Sequence, residues 1–270
     1  MLTYGLTTAG LKLASNGVTM VKVERGAGGI FNCPDLKELY SREYDDKMLR
    51  WRTIGAIGKA QNIEALAGGA QSSIHSVLEV GCGTGSVLEQ LAARKIGAEF
   101  TGIEIGIERS KEQERDGIHI HGFDGKTIPY PDQSFDLVYA THVLEHVLDE
   151  RGFLAELRRV TRQFLYIEVP CELTMRTTQR SLQGTLNIGH INPYSPESFA
   201  LRLETSGLVV AGLRIFDHPY AIHRFSSPAW RSIVKMAIRR GLLNLNRSLA
   251  CQIFSYHCGA LCKPGPSLAI

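Results

Sequence analysis

Between residues 76 and 170, short apolar runs alternate with longer segments of mixed character. Val77-Leu78-Glu79-Val80, Glu99-Phe-Thr-Gly-Ile-Glu104, the segment opening at Ile118, Phe135 to Ala140 and Phe164 to Pro170 are each rich in β-branched or aromatic residues and too short for a buried helix, so they read as strands. Helical patterns fall between them. Strands alternating with helices imply a parallel sheet covered on both faces. Downstream, Ser195-Pro196-Glu197 opens a helix that ends near Gly207, with Ser195 as N-cap and Pro196 at the first helical position. Leu208 to Phe216 is a sixth strand, residues 227–242 an amphipathic helix, and Leu249 to Leu261 a last strand closing before Pro264. Trp230, Ile233, Val234, Ala237 and Ile238 form the helix's apolar stripe, and Arg231, Lys235, Arg239 and Arg240 its basic positions. Upstream, two helices are expected over 34–68. Leu36, Leu39 and Tyr40 share a face of the first; the second runs from about Asp46 to Ala67, with Met48, Leu49, Ile54, Ile57 and Ala60 as its stripe and Gly68-Gly69 as its stop. Residues 1–32, rich in Gly, Thr and Val, are expected to form a hairpin or arm. The expected division is an arm and helical cap over 1–70 and an α/β domain over 71–270.

Composition narrows the class without naming it. Of the 270 residues, 44% are hydrophobic and 21% charged, ordinary for a soluble domain able to bury a full core, and the net charge of +3 does not by itself imply nucleic acid. Cys33, Cys82, Cys171, Cys251, Cys258 and Cys262 include no C-x-x-C pair, so reduced thiols in a cytoplasmic protein are expected rather than zinc or disulfides. No apolar run approaches the ~18 residues of a membrane helix, and no secretory signal pattern is seen.

Chemistry enters at Val80-Gly81-Cys82-Gly83-Thr84-Gly85-Ser86, a strand, a glycine turn and a helix start. A dinucleotide fingerprint needs its third glycine one place later, where Ser86 stands. The G-x-G-x-G form, with Glu79 ahead of it, is similar to the first motif of class I S-adenosylmethionine (SAM) methyltransferases; a tight structural turn is the alternative reading. Glu104 ends the second strand about twenty residues on, where nucleoside-binding folds place a ribose acid; otherwise it opens the next loop. Ile128-Pro-Tyr-Pro-Asp-Gln-Ser-Phe-Asp136-Leu-Val, followed by Val143-Leu-Glu-His146, resembles the signature of the methyltransferase-11/23 type, and residues 185–216 add a weaker match. This resemblance implies a Rossmann-like seven-stranded, mostly parallel sheet, a helical cap ahead of the first strand and a helical insertion before the last. It implies SAM as cofactor and S-adenosylhomocysteine as product. Carried onto this sequence, the cofactor residues are Glu79, Gly81, Cys82, Gly83, Gly85, Glu104, Ile105, Asp124, Gly125, Ala140 and Thr141, with Asp124 reading the adenine amino group. Arg52, on the cap helix beside Trp51, either pairs with the methionine carboxylate or is a solvated charge.

Methyl transfer asks for little beyond positioning, because the sulfonium is already activated; a base helps where the acceptor is an unactivated hydroxyl. His190 and His142 are the candidates, and His146 is expected on the cofactor wall. His142 and His146 sit at i, i+4 on an expected helix, but no third ligand is evident and no metal is expected. The polar stretch 171–189, carrying Arg176 and Arg180, is expected to loop over the cleft, and segments 171–195 and 218–248 are expected to shape the acceptor side. The acceptor is a small molecule, with an oxygen of a sugar, phenol or secondary metabolite preferred. Nucleic acid is not expected, since Ala140-Thr-His-Val replaces a base-methylating motif. The basic helix is expected to dock as an ordinary surface helix; the other reading is a patch for a membrane surface or anionic acceptor. The oligomeric state is not legible. Against methyl transfer stand another chemistry on the same fold (aminopropyl transfer, NAD-linked redox) and a catalytically silent SAM- or partner-binding protein. The redox reading loses on Ser86 and the lack of a second nucleotide pattern, aminopropyl transfer on a loop over 171–192 that is basic rather than acid-rich, and the silent protein on ligand positions that are all filled.

Overall fold

A computed structural model describes Phe31, residues 46–105 and residues 113–265. The chain divides at residues 32 and 33, and everything described except Phe31 belongs to the second unit. The hairpin expected over 1–32 and the helix expected after Pro34 lie outside the described residues.

Eight strands form one sheet: β1 Ser76–Val80, β2 Glu99–Glu104, β3 Gln113–Arg115, β4 Ile118–Gly122, β5 Phe135–Thr141, β6 Thr161–Cys171, β7 Leu208–Phe216 and β8 Tyr256–Pro264. Their order is β3-β4-β2-β1-β5-β6-β8-β7. The five strands from β4 to β6 run parallel, whereas β8 is antiparallel to both β6 and β7. The expected α/β architecture therefore stands, with one strand more than the seven expected. The addition, β3, folds back on β4 through Asp116-Gly117, both at positive φ (53° and 76°), the conformation a two-residue hairpin turn demands. That Asp-Gly pair was the missed signal.

The helices are α1 Asp46–Ala67, α2 Ser86–Ala93, α3 Glu150–Val160, α4 Gln179–Leu186, α5 Pro196–Glu204, α6 Tyr220–Ser226, α7 Ala229–Leu245 and α8 Arg247–Ile253. Successive strand residues point to opposite faces. Val77 thus joins a core with Leu88, Leu91 and the α1 residues Ala56, Ala60 and Ile63, while Leu78 joins a second core with Leu154, Leu157 and Phe199. In α1 the buried stripe is Ala56-Ala60-Ile63-Ala67, and Ile57 is exposed. Alanines let this helix approach its neighbours closely, and a Cβ on Gly58 would stand 2.7 Å from Pro219.

Three further expectations are corrected. The segment 171–189 is not all loop: Thr178 and Ser181 form a reciprocal capping box that starts α4. Leu249 to Leu261 is not one strand; Asn246 caps α8 by accepting from the Leu249 amide, and β8 begins only at Tyr256. No α-helix carries His142 and His146. After β5 the chain takes a single 3-10 turn, Leu144–His146, and His142 sits at φ 59°.

Candidate active site

The site gathers at the carboxyl ends of β1, β2, β4, β5 and β6. From β1 the chain steps through β2 to β4 on one side, then through β5 to β6 on the other, so the crevice lies at the switch point between β1 and β5.

Gly81, Gly83 and Gly85 all have positive φ (77°, 55° and 77°), a region that a side chain would strain. Space is short as well. A Cβ at Gly81 would lie 2.6 Å from Val143 Cγ2, and one at Gly83 would collide with the guanidinium of Arg52. Arg52 therefore reaches from α1 across the glycine turn. Glu104 secures the turn from the other side: its Oε2 accepts from the Gly83 amide at 2.7 Å and its Oε1 from the Ile105 amide at 2.8 Å. Beyond it, Ile105 is half exposed and lies against Gly125, where an added Cβ would be 3.2 Å away. Asp124 Oδ1 accepts from the Lys126 and Thr127 amides, both at 2.8 Å, which fixes its loop. Cys82 packs its thiol against Gly102 while the thiol donates to the Gly83 carbonyl at 3.8 Å, and burial holds it protonated. Glu79 is buried and accepts from the Tyr139 hydroxyl at 3.0 Å, and loss of hydration raises its pKa to about 8. Ala140 and Thr141 are buried, and the Thr141 carbonyl accepts from Lys59 Nζ at 3.3 Å.

In the loop that follows β6, His190 Nδ1 donates to Glu172 Oε1 at 2.9 Å. Burial alone would lower the His190 pKa, but this bond and the charges of Glu145 and Glu172 raise it. His146 lies edge-on to His190 with centroids 4.8 Å apart, and its Nδ1 donates to the Gly189 carbonyl at 3.0 Å; burial brings its pKa down to about 4. His142 stands between Glu168 (3.3 Å) and Glu145 (3.5 Å), meets His257 edge to face and is held neutral by burial. Glu145 is fully buried with no hydrogen-bond partner for either side-chain oxygen, only the longer ion-pair approach of His142, and burial raises its pKa to about 7. Where the sequence offered no third ligand beside His142 and His146, folding assembles two groups, His142-Glu168-His257 and Glu145-His146-His190, with donor atoms within 4.8 Å of one another. The Ile191 and Asn192 amides both donate to the Glu145 carbonyl, tying the His190 loop to the β5 end. Arg176 and Arg180 are exposed.

Sequence reasoning missed Lys59, Asn62, Glu172 and Glu168. Lys59 and Asn62 follow Arg52 at i+7 and i+10, a polar edge beside the alanine stripe of α1. Asn62 Nδ2 donates to Glu168 Oε2 at 2.9 Å. That spacing was the available signal.

Residues 43–212 match the profile of the methyltransferase-domain family. The chain belongs to this family. Among curated relatives, a demethylmenaquinone methyltransferase of Thermobifida fusca is 35% identical over 181 residues, 64% of this chain and 75% of that one. A probable chloroplastic tocopherol O-methyltransferase of Oryza sativa subsp. japonica is 29% identical over 199 residues, 66% and 53%. The O-methyltransferase cnsE of Penicillium expansum is 37% identical over 94 residues, 32% and 34%. The match thus spans about a third to a half of the last two. The fold is that of solved methyltransferase-like structures. The (4+2)-cyclase SpnF aligns with TM-score 0.51 at 15% identity, over 77% of this chain and 81% of that one. Magnesium protoporphyrin IX methyltransferase of Synechocystis PCC 6803, with bound S-adenosylhomocysteine, aligns with TM-score 0.50 at 12% identity, over 84% and 91%.

Proposed function

We propose that the chain transfers the methyl group of SAM to an oxygen of a small molecule: a sugar, a phenol or another secondary metabolite. One observation carries this reading. The glycine turn braced by Glu104 touches, through Val143, the same β5 end to which a carboxylate-oriented histidine is tied.

Three glycines whose Cβ positions are closed or strained leave backbone that a methionine and ribose can approach, and Arg52 lies over that backbone to meet a carboxylate. SAM supplies an electrophilic methyl carbon; the chain has to hold the acceptor oxygen in line and take up its proton. With Nδ1 donated to Glu172, His190 presents Nε2 as the basic nitrogen, the logic by which a carboxylate orients a catalytic histidine. His190 is preferred to His142 because its pKa is raised whereas that of His142 is depressed, and a stronger base takes a hydroxyl proton more readily. His142 then serves as a neutral wall of the acceptor side. This reading requires no metal: Glu168 already accepts from Asn62 and Tyr166 and faces His142 and His257. In it, α1 borders the cofactor through Arg52 and Lys59, and segments 171–195 and 218–248 shape the acceptor pocket. Several curated relatives carry O-methyltransferase names, which supports oxygen as the target atom.

The test is incubation with methyl-deuterated SAM and a panel of phenols, quinols and sugars, read by mass spectrometry. A gain of one labelled methyl on an oxygen, absent with Glu104→Ala, is expected. SAM binding with no transfer to any acceptor would favour a silent binding protein.

A further inference from the structure

Helix α7 is rotated by half a turn from the orientation its sequence predicts. The expected inward stripe faces water: Trp230 is 64% exposed, Ile233 52%, Val234 50% and Ile238 56%. The buried positions of the helix are Ser232 and Arg239. Both are anchored. Ser232 Oγ donates to the His223 carbonyl at 3.0 Å; Arg239 donates to Asp217 Oδ1 and to the Ser255 carbonyl, each at 2.6 Å, with its guanidinium over Tyr256. The Tyr256 hydroxyl donates back to the Arg239 carbonyl at 2.9 Å. These bonds fix the rotation. They leave a contiguous apolar face in water, including a shallow groove of about 290 Å³ between Trp230, Val234, Ile238 and Phe254.

Charge identifies the occupant. Asp217 is the last acid in the chain: residues 218–270 hold seven Lys and Arg and no Asp or Glu. Arg231, Lys235 and Arg240 are exposed around the apolar face, and the Arg231 guanidinium lies 5.1 Å from the Trp230 ring centroid. A second copy of this chain would set an all-basic rim against itself, because a two-fold interface pairs like with like. An anionic bilayer offers what the face lacks, an apolar interior beneath a negative surface. Tryptophan and arginine are suited to the headgroup level between them. At 17 residues with four cationic side chains, three of them exposed, α7 is fitted to lie in the interface, and no helix among the described residues is long and apolar enough to cross a membrane.

We propose that the exposed face of α7 docks this protein on anionic phospholipid membranes. The attachment reaches toward the acceptor side: Arg239 holds Asp217, the adjoining His218 meets His257 edge to face with centroids 4.4 Å apart, and His257 meets His142 the same way at 4.4 Å. A membrane-dissolved acceptor would then meet the site from its own phase. Docking itself does not rest on the methyltransferase reading, and its test involves no turnover.

The experiment is co-sedimentation of the full chain with vesicles of phosphatidylcholine, with and without phosphatidylglycerol. Binding at least about tenfold stronger to the anionic vesicles, falling as salt rises, is expected. The double variant Ile233→Asp/Ile238→Asp should lose binding, and Lys235→Glu/Arg240→Glu should weaken it at least about tenfold and flatten its salt dependence. All four side chains are exposed, so unchanged far-ultraviolet dichroism and melting confirm that the variants are folded. Failure of the wild type to bind anionic vesicles, or unchanged binding by the folded double variants, would overturn the proposal. So would a wild-type dimer, insensitive to vesicles, that Ile233→Asp/Ile238→Asp converts to monomer, since a second copy then covers the face.

Discussion

Glu104 holds Gly83: the carboxylate at the end of β2 accepts the amide of the middle glycine at 2.7 Å. One residue therefore shapes the turn and, through its second oxygen, holds the Ile105 amide beside Gly125. A carboxylate so engaged is a brace as much as a ligand.

Glu104→Ala should weaken SAM binding by roughly 1.5–3 kcal/mol, the worth of a charge-assisted hydrogen bond, and should also loosen the turn without ligand. Glu104→Gln keeps one acceptor oxygen and should lose less. Calorimetry reads the affinity; hydrogen exchange at the Gly83 amide reads the brace. Unchanged affinity in both variants would remove Glu104 from the site.

The Gly83–Arg52 contact gives a second prediction. A side chain at Gly83 meets Arg52 and pays for φ 55° besides. Gly83→Val should therefore abolish SAM binding partly by displacing Arg52. Because the two residues share one space, Gly83→Ala and Arg52→Ala should combine less than additively, by about 0.5 kcal/mol or more in a double-mutant cycle. Strict additivity would mean that Arg52 acts elsewhere.

The ends of β1, β2, β4 and β5 were legible in sequence because parallel buried strands leave short apolar runs, and Gly81, Glu104 and Asp124 sit where those runs stop. His190 was named from the sequence, but its partner was not legible. Glu172 and His190 are 18 residues apart and meet only because the loop after β6 folds back on the β5 end, which periodicity does not encode. The rotation of α7 was misread for a related reason. Hydrophobic patterning counts apolar area, but two buried polar anchors, Ser232 and Arg239, decided which side faces in. His142 and His146 were expected on a helix after the fourth strand; the positive φ at His142 breaks it.

Asp136 gives a stability test remote from the chemistry. Its Oδ2 accepts from the His75 and Ser76 amides, both at 3.0 Å, and its Oδ1 from Arg162 at 2.7 Å and Gln163 at 3.0 Å. Burial alone would raise its pKa, but these donors more than offset that and hold it well below the usual carboxylate range. A depressed acid stabilises the fold above its unfolded value, about 3.9, and loses that contribution as pH falls below it. Asp136→Asn should cost about 2–3 kcal/mol at neutral pH, measured by urea unfolding, and the deficit should shrink steadily below about pH 4. A deficit independent of pH would mean that shape rather than charge matters at this position.

The Glu172–His190 pair decides whether the acceptor proton has an assigned destination. If His190 takes it, His190→Ala should lower kcat by about 10²–10⁴ with little change in SAM affinity. The rate should rise with pH as the imidazolium loses its proton, and the rise should fall above the ordinary histidine value of about 6.5, because Glu172 and Glu145 favour the charged ring. Glu172→Gln keeps a polar partner but removes the charge, so the whole limb should move to lower pH while the plateau drops, the ring being a weaker base and less firmly oriented. A purely structural role for Glu172 would lower the plateau and leave the limb in place. An acceptor that ionises unaided, such as an acidic phenol, would give a flat profile and an active His190→Ala, leaving positioning by the strand ends as the whole of catalysis.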